Sequence, residues 1–384
     1  MKMYFDNAAT TKPSKEVIAD IVWCLENVWG NPSSIHTPGL EARRILEESR
    51  KKVARYIGAD PEEIIFTASG SESNNLAIKG FLKANDKYNC IVTTQAEHPS
   101  VYNTCIYLCE NESYKIAFAP VGKTGRVNVA KFEELISELS FINHCFVTIM
   151  MANNEIGSIN PIKDIVQIAH KHNAIVHVDA TQAIGQLPVD VKNLGCDLLT
   201  FSGHKLGLPR GCAVLYRKKH IQLSPIVHGG GQEESIHAGT ENLAGIYALG
   251  NQLERLSEKG YPNNTTRIYL YNKICETYDK IKIDVKLNGD LADRLPNNLS
   301  LTFKGINAEA LITLLDMRGI QVSSGSACSS GTRKPSRILK AIGLSDDDAN
   351  STIRISICSD TTTAECDEFV EVLSECLESL KMIM

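Results

Sequence analysis

Four polar clusters in the middle of the chain each follow an apolar run of strand length. NCIVTTQ leads to Glu97-His98, and FVTIMMA leads to Asn153-Asn154-Glu155. AIVHV ends in Asp179, with Gln182 three residues on, and LLTF runs into Ser202-Gly203-His204-Lys205. Ligands of open α/β sheets bind beyond the carboxyl ends of the strands. The four clusters are therefore expected to face one crevice.

An aspartate, a lysine, two histidines and several amides suit pyridoxal phosphate. That cofactor needs a lysine amine for its Schiff base and an acidic partner that keeps its pyridine nitrogen protonated. Its phosphate needs amide and hydroxyl donors. Thr67-Ala68-Ser69-Gly70-Ser71-Glu72 supplies them just ahead of the helical pattern SNNLAIKGFLKA, and a helix N-terminus is a ready anion site. Each residue alone also has an ordinary structural reading. Ser71 and Asp179 suit helix caps, His98 and His204 suit a core, and Lys205 suits the surface. Their recurrence at successive strand ends favours the shared site.

The elements that would carry these groups can be traced. The helical spacing of IKDIVQIAHKH lies between the second and third apolar runs. Strand–helix–strand alternation implies a mainly parallel sheet covered by helices, over roughly residues 15–254. After GYPNNTT the texture changes. Helical RIYLYNKICETYDKI, short strands in DVKLNG and NNLSLTF, helices in AEALITLLDMRG and SRILKAIG, the strand TIRISI and an amphipathic C-terminal helix predict a smaller α+β domain. That domain is expected to comprise residues 1–14 and 255–384, with a Ser/Gly-rich loop at about 323–336.

A chain of 384 residues suits two domains. A net charge of −5 argues against direct nucleic-acid binding and against a charge-driven membrane protein, and no run reaches bilayer-spanning length. The opening MKMYFDNAATT lacks a signal-peptide pattern, so a cytoplasmic location is expected. Twelve cysteines are scattered without a CxxC pair, which leaves a zinc ribbon or thioredoxin-like site unsupported. Cys105 and Cys109, four apart on a helix, read as packing residues rather than a metal pair. Only Cys328, in SSGSACSSGTRKPS, has a context that asks for chemistry.

The ordered set FDNAATT, GNPSSIH, FTASGSESNNLAIKG, AEHPSV, NNEIGSI, HVDATQ, SGHKLGLPRG, GGGQE, AGTEN and SSGSACSSG spans nearly the whole chain. It resembles cysteine desulfurases of the NifS/IscS type, in the class V aminotransferase group. The resemblance implies a pyridoxal-phosphate fold of type I, with a seven-stranded mainly parallel sheet in the large domain. It also implies conversion of L-cysteine to L-alanine, with sulfur held as a persulfide on Cys328 and passed to an acceptor protein. That acceptor would be a scaffold for iron–sulfur clusters or an enzyme of tRNA thiolation.

Residue by residue, the resemblance makes Lys205 the Schiff-base lysine and Asp179 the partner of the pyridinium. Gln182 and Asn154 lie by the ring hydroxyl, and His98 stacks on the ring and moves protons. Gly70, Ser71, Ser202 and His204 hold the phosphate. Thr240 would reach the phosphate of a neighbouring subunit, which implies a homodimer with shared sites. Arg354, in TIRISI, would bind the substrate carboxylate through its planar guanidinium, with Asn154, Asn31 and His36 lining or supporting the pocket.

Three features depart from the family pattern. His237 stands where an arginine is usual, after an acidic Glu233-Glu234. ICSDTTT replaces a Gly-Arg-aromatic stretch, and the chain ends at LKMIM without a longer tail. None touches Lys205, Asp179, His98 or Cys328, so activity is expected to survive, with a dedicated sulfur acceptor. Selenocysteine lyase, cystine lyase or aminotransferase chemistry on the same fold remains the rival reading, and Cys328→Ala separates an aminotransferase. A sulfur-carrier subunit with little turnover is the rival from another class. A metal- or cluster-binding cysteine-rich protein lacks the ligand spacing.

Overall fold

A computed structural model describes residues 3–141, 144–325 and 335–382, without the side chains of 279–281. In chain order the strands are β1 (Met3–Tyr4), β2 (Ile64–Thr67), β3 (Tyr88–Thr93), β4 (Lys115–Phe118), β5 (His144–Met150) and β6 (Ile175–Asp179). They continue with β7 (Leu198–Ser202), β8 (Ala213–Arg217), β9 (Val285–Leu287), β10 (Asn298–Phe303), β11 (Ile320–Gln321) and β12 (Thr352–Ser356).

Seven strands form one sheet in the order β2-β8-β7-β6-β5-β3-β4. β8 runs antiparallel to both neighbours, while β7, β6, β5, β3 and β4 pair in parallel. Both faces are covered by helices, and the central strands are buried along nearly their whole length. That burial explains their continuous β-branched and apolar runs. The expected α/β fold with a mainly parallel seven-stranded sheet is what forms. Four of the seven strands correspond to the apolar runs read above; β2, β4 and β8 complete the sheet.

Residues past Gly260 build a second core. β12, β10 and β9 form an antiparallel sheet, packed by Leu270, Ile274, Leu311, Phe369 and Leu373. Met3 and Phe5 belong to this same core, because β1 pairs in parallel with β11. The helix Leu243–Lys259 runs through residue 254 and stops at Gly260, whose φ of +75° leaves the helical region. No helix among the described residues is long and apolar enough to cross a membrane.

The register fixes the site. Met150 at the end of β5 lies beside Asp179 at the end of β6, and Asp179 lies beside Thr200 of β7. The polar clusters after β3, β5, β6 and β7 thus leave the sheet on one edge, as parallel strands require.

Candidate active site

A cavity of about 300 Å³ opens at that edge. Gly70, Ser71, His98, Asn154, Asp179, Gln182, Ser202, His204, Lys205 and Arg354 all line it. Three other expected positions lie elsewhere. Thr240 is exposed and is not a lining residue. Asn31 is exposed too, and its Oδ1 accepts from the Ser33 amide at 2.9 Å. His36 caps the helix Thr37–Ile57 through the Gly39 amide. Cys328 falls outside the described residues.

Asp179 is almost fully buried. Its Oδ2 accepts from Asn74 Nδ2 and its Oδ1 from the Thr181 amide, both at 2.9 Å. Asn74 was not singled out from the sequence; it sits one turn into the helix whose first residues were assigned to phosphate. That helical segment runs from Gly70 to Ala84 with a π turn at Leu76–Gly80. Ser69 caps it through the Glu72 amide at 3.2 Å. A Cβ on Gly70 would lie 3.3 Å from Ser202 Cβ. A bare glycine is therefore what lets the helix end approach the β7 terminus.

Lys205 lies in the short helical turn after β7. Its Nζ donates to the carbonyls of Ala8 and Ala9, each at 2.7 Å. Gln182 Nε2 also donates to Ala8 O, at 3.1 Å. The N-terminal segment FDNAATT thus forms one wall of the cavity and fixes the lysine. Burial, assisted by the Lys205 charge, pushes the His204 imidazole down to about 4, so that ring is neutral at neutral pH.

His98 Nδ1 accepts the Ser100 amide at 3.1 Å and lies 2.7 Å from the Ser100 hydroxyl. Burial lowers its pKa against the opposing pull of Asp179. A neutral ring whose Nδ1 is an acceptor carries its proton on Nε2. Arg354, only 2% exposed, donates from Nη1 to Asn154 O at 3.0 Å and from Nη2 to Asp6 Oδ1 at 2.7 Å.

The lining residues fit pyridoxal phosphate. Among the described residues, the oxygens of two buried lining amides, Asn74 Oδ1 and Asn154 Oδ1, find no hydrogen-bond partner. Leaving such groups unpaired costs about 1–3 kcal/mol each, so a ligand with donors there is favoured. A buried carboxylate, a lysine amine and a helix N-terminus flanked by Ser202 and His204 complete the donor set. Among the described residues no group of three His, Cys, Asp or Glu side chains is placed to hold a metal.

The departures from the family pattern also find places. Glu233 accepts from both terminal nitrogens of Arg50 at 2.8 Å and from the Phe66 amide at 2.9 Å. It is a buried structural anion, on a turn where Glu233, Glu234 and Ser235 all have positive φ. Glu234 pairs with Arg217 at 3.0 Å. His237 Nε2 lies 2.9 Å from Glu72 Oε1, and Glu72 Oε2 accepts the Ala68 amide. Cys358 is exposed, whereas most other cysteines are buried.

Fold and site together define an α/β enzyme whose cavity lining suits a phosphorylated, electron-accepting cofactor. The chain belongs to the aminotransferase class-V family, whose model matches residues 3–369. It is 39% identical over 380 residues to the cysteine desulfurase IscS of Methanosarcina thermophila, covering 99% of this chain and 93% of that protein. The solved structure of a NifS-like protein superposes with a TM-score of 0.89 at 34% identity, covering 99% of this chain and all of the other. SspA, solved in complex with cysteine, superposes at 0.80 with 32% identity, covering 93% and 99%.

Proposed function

We infer that this chain is a pyridoxal-phosphate-dependent cysteine desulfurase. The observation that carries the reading is the single cavity in which Lys205, Asp179, His98, Asn154 and Arg354 converge at the ends of parallel strands. The relatives named as cysteine desulfurases over nearly the full chain support it.

Asp179 would face the ring nitrogen, Lys205 would bind the cofactor covalently, and Gln182 and Asn154 would meet the ring hydroxyl. The amides of Gly70 and Ser71, with Ser202 and His204, would hold the phosphate. Bound there, the cofactor withdraws electrons from the substrate α-carbon. Arg354 orients the carboxylate of L-cysteine, with Asn154 beside it. His98 keeps a proton at Nε2 for delivery within the cavity. The Cys328 thiolate attacks the substrate sulfur: an S–S bond forms, the substrate C–S bond breaks, and the carbon that leaves takes a proton to become alanine. One cysteine and one thiol thus yield one alanine and one persulfide, without an external oxidant.

The working unit is a homodimer, in which exposed Thr240 reaches the phosphate of the neighbouring site. The apolar side chains of Trp29, Ile35 and Leu40, exposed in and beside GNPSSIH, suit a covered face. Asn31 and His36 would be brought to the pocket's rim by that assembly. Residues 15–254 form the cofactor-binding domain; residues 1–14 and 255–384 form the smaller one that carries Cys328. The persulfide goes to an acceptor protein of iron–sulfur assembly or tRNA thiolation, in the cytoplasm.

The test is an absorbance spectrum followed by L-cysteine with a reductant. A visible absorbance band from the bound cofactor, and sulfide and alanine in equal amounts that vanish in Cys328→Ala, are expected. A protein that is colourless after incubation with pyridoxal phosphate would overturn the reading.

A further inference from the structure

Both flanks of the segment that carries Cys328 meet one buried carboxylate. Ser336 Oγ donates to Glu155 Oε2 at 2.5 Å. On the other flank Gly325, with φ +41°, packs so close that a Cβ would lie 2.9 Å from the same oxygen. Glu155 is 3% exposed. Its amide and that of Ile156 are held by Asn153 Oδ1 at 2.8 and 3.0 Å, and its carbonyl accepts from Asn298 Nδ2 at 3.3 Å. The turn is therefore rigid.

The preceding residue of that turn sets Arg354. Asn154 O accepts from Arg354 Nη1, so one dipeptide contacts the carboxylate-binding arginine and both flanks at once. Arg337 reinforces the second flank. It donates from Nη2 to Glu97 O at 2.6 Å, and its guanidinium lies 3.7 Å from the centre of the Tyr102 ring. Burial raises the Glu155 carboxyl, while the charges of Arg354 and Arg337 pull it down.

Chain length makes this anchorage matter. Cys328 is three residues beyond Gly325, and three residues span at most about 11 Å. The reach of Cys328 toward a substrate held by Arg354 is thus measured from Gly325.

We propose that Glu155 is a positioning residue for sulfur transfer, holding Ser336 on one flank of the Cys328 segment and packing against Gly325 on the other, next to the Asn154 carbonyl that binds Arg354. The proposal rests on the desulfurase reading. It predicts a defect in one step only, because Glu155 is not among the residues that line the cofactor cavity.

The experiment is a single turnover of holoenzyme with L-cysteine. Binding is followed by the cofactor's absorbance change, and sulfur gain on Cys328 by protein mass. Glu155→Ala is expected to bind cysteine within about twofold of wild type and to gain sulfur at least about tenfold more slowly, the scale of a lost positioning contact. Glu155→Gln keeps an oxygen that accepts from Ser336 and restores most of the rate. Should Glu155→Ala fail to fold, Ser336→Ala carries the test: it slows sulfur gain, whereas Ser336→Thr, which keeps the hydroxyl, does not. Wild-type sulfur gain in Glu155→Ala, or in Ser336→Ala where that variant stands in, overturns the positioning role alone. A wild-type protein that gains no sulfur overturns the desulfurase reading and this proposal with it.

Discussion

Arg354 Nη2 and Asp6 Oδ1 lie 2.7 Å apart, joining β12 to the N-terminal segment that also holds Lys205. With Asn154 O as a second acceptor, the guanidinium plane is fixed before any substrate arrives. A lysine presents one rotatable point charge and cannot meet Asp6, Asn154 O and a carboxylate in one plane. Arg354→Lys is therefore expected to lower kcat/KM for L-cysteine by about 10- to 100-fold, the worth of one or two charge-assisted hydrogen bonds. Asp6→Asn keeps an acceptor and should cost less. Steady-state alanine production checks both, and an Arg354→Lys enzyme with unchanged KM and kcat would sink the assignment.

Asn74 is the residue through which the helix that starts at Gly70 reaches Asp179. Its Nδ2 donates to Asp179 Oδ2 and lies 2.9 Å from Ser100 Oγ, while Ser100 in turn contacts His98. One amide thus ties the carboxylate to the imidazole's hydrogen-bond partner. Asn74→Ala removes a buried donor from a charged acceptor, a loss of about 1–3 kcal/mol. The expected result is weaker cofactor retention on dilution and turnover reduced by about tenfold. Equal retention and turnover in the variant would show that Asp179 needs no such support.

Asn74 also marks what the sequence could and could not tell. The strand ends were legible because buried parallel strands demand apolar runs, and the polar residues that interrupt them have to face the crevice. SESNN, by contrast, reads as an ordinary solvated first turn, and only tertiary contact reveals that Asn74 points inward. β4 was illegible for a related reason. It is an edge strand of four partly exposed residues, KIAF, and carries no apolar run. The Glu233-Glu234 pair departs from the family pattern, and nothing local signals that Arg50, far earlier in the chain, pairs with Glu233. Cys328 drew attention by context alone, and it lies outside the described residues.

Glu233 and Arg50 supply the sharpest stability test. The Glu233 side chain is 3% exposed and that of Arg50 11%, with the guanidinium 4.9 Å from the centre of the Phe66 ring. Removing Glu233 leaves Arg50, among the described residues, only Glu47 at 3.3 Å as an ion-pair partner. It takes away the two closest charged hydrogen bonds of Arg50, a loss toward the lower end of the about 3–5 kcal/mol that breaking a buried pair costs. Glu233→Ala should therefore lower the urea midpoint strongly. Replacing both residues together should recover part of the loss, because neither charge is then left without its closest partner. A double variant no more stable than Glu233→Ala would contradict that account.

Glu97 gives the fold a pH dependence of definite sign. Its carboxyl is fully buried beneath the site, accepting from Thr94 Oγ1 and the Met150 amide, each at 2.8 Å. Burial pushes its pKa up to about 8, aided by Asp179 and opposed by Arg337 and by the two hydrogen bonds. The unfolded chain releases the same proton in the ordinary carboxylate range. Between that range and about pH 8 the folded state binds more protons than the unfolded one. Stability from this group is then full at low pH and declines as pH rises toward 8, where the folded form ionises too. Glu97→Gln removes the titration while keeping an amide of the same shape. Urea unfolding of wild type and Glu97→Gln at several pH values across this window should give a flatter stability curve for the variant. Parallel curves would mean that Glu97 titrates alike in both states.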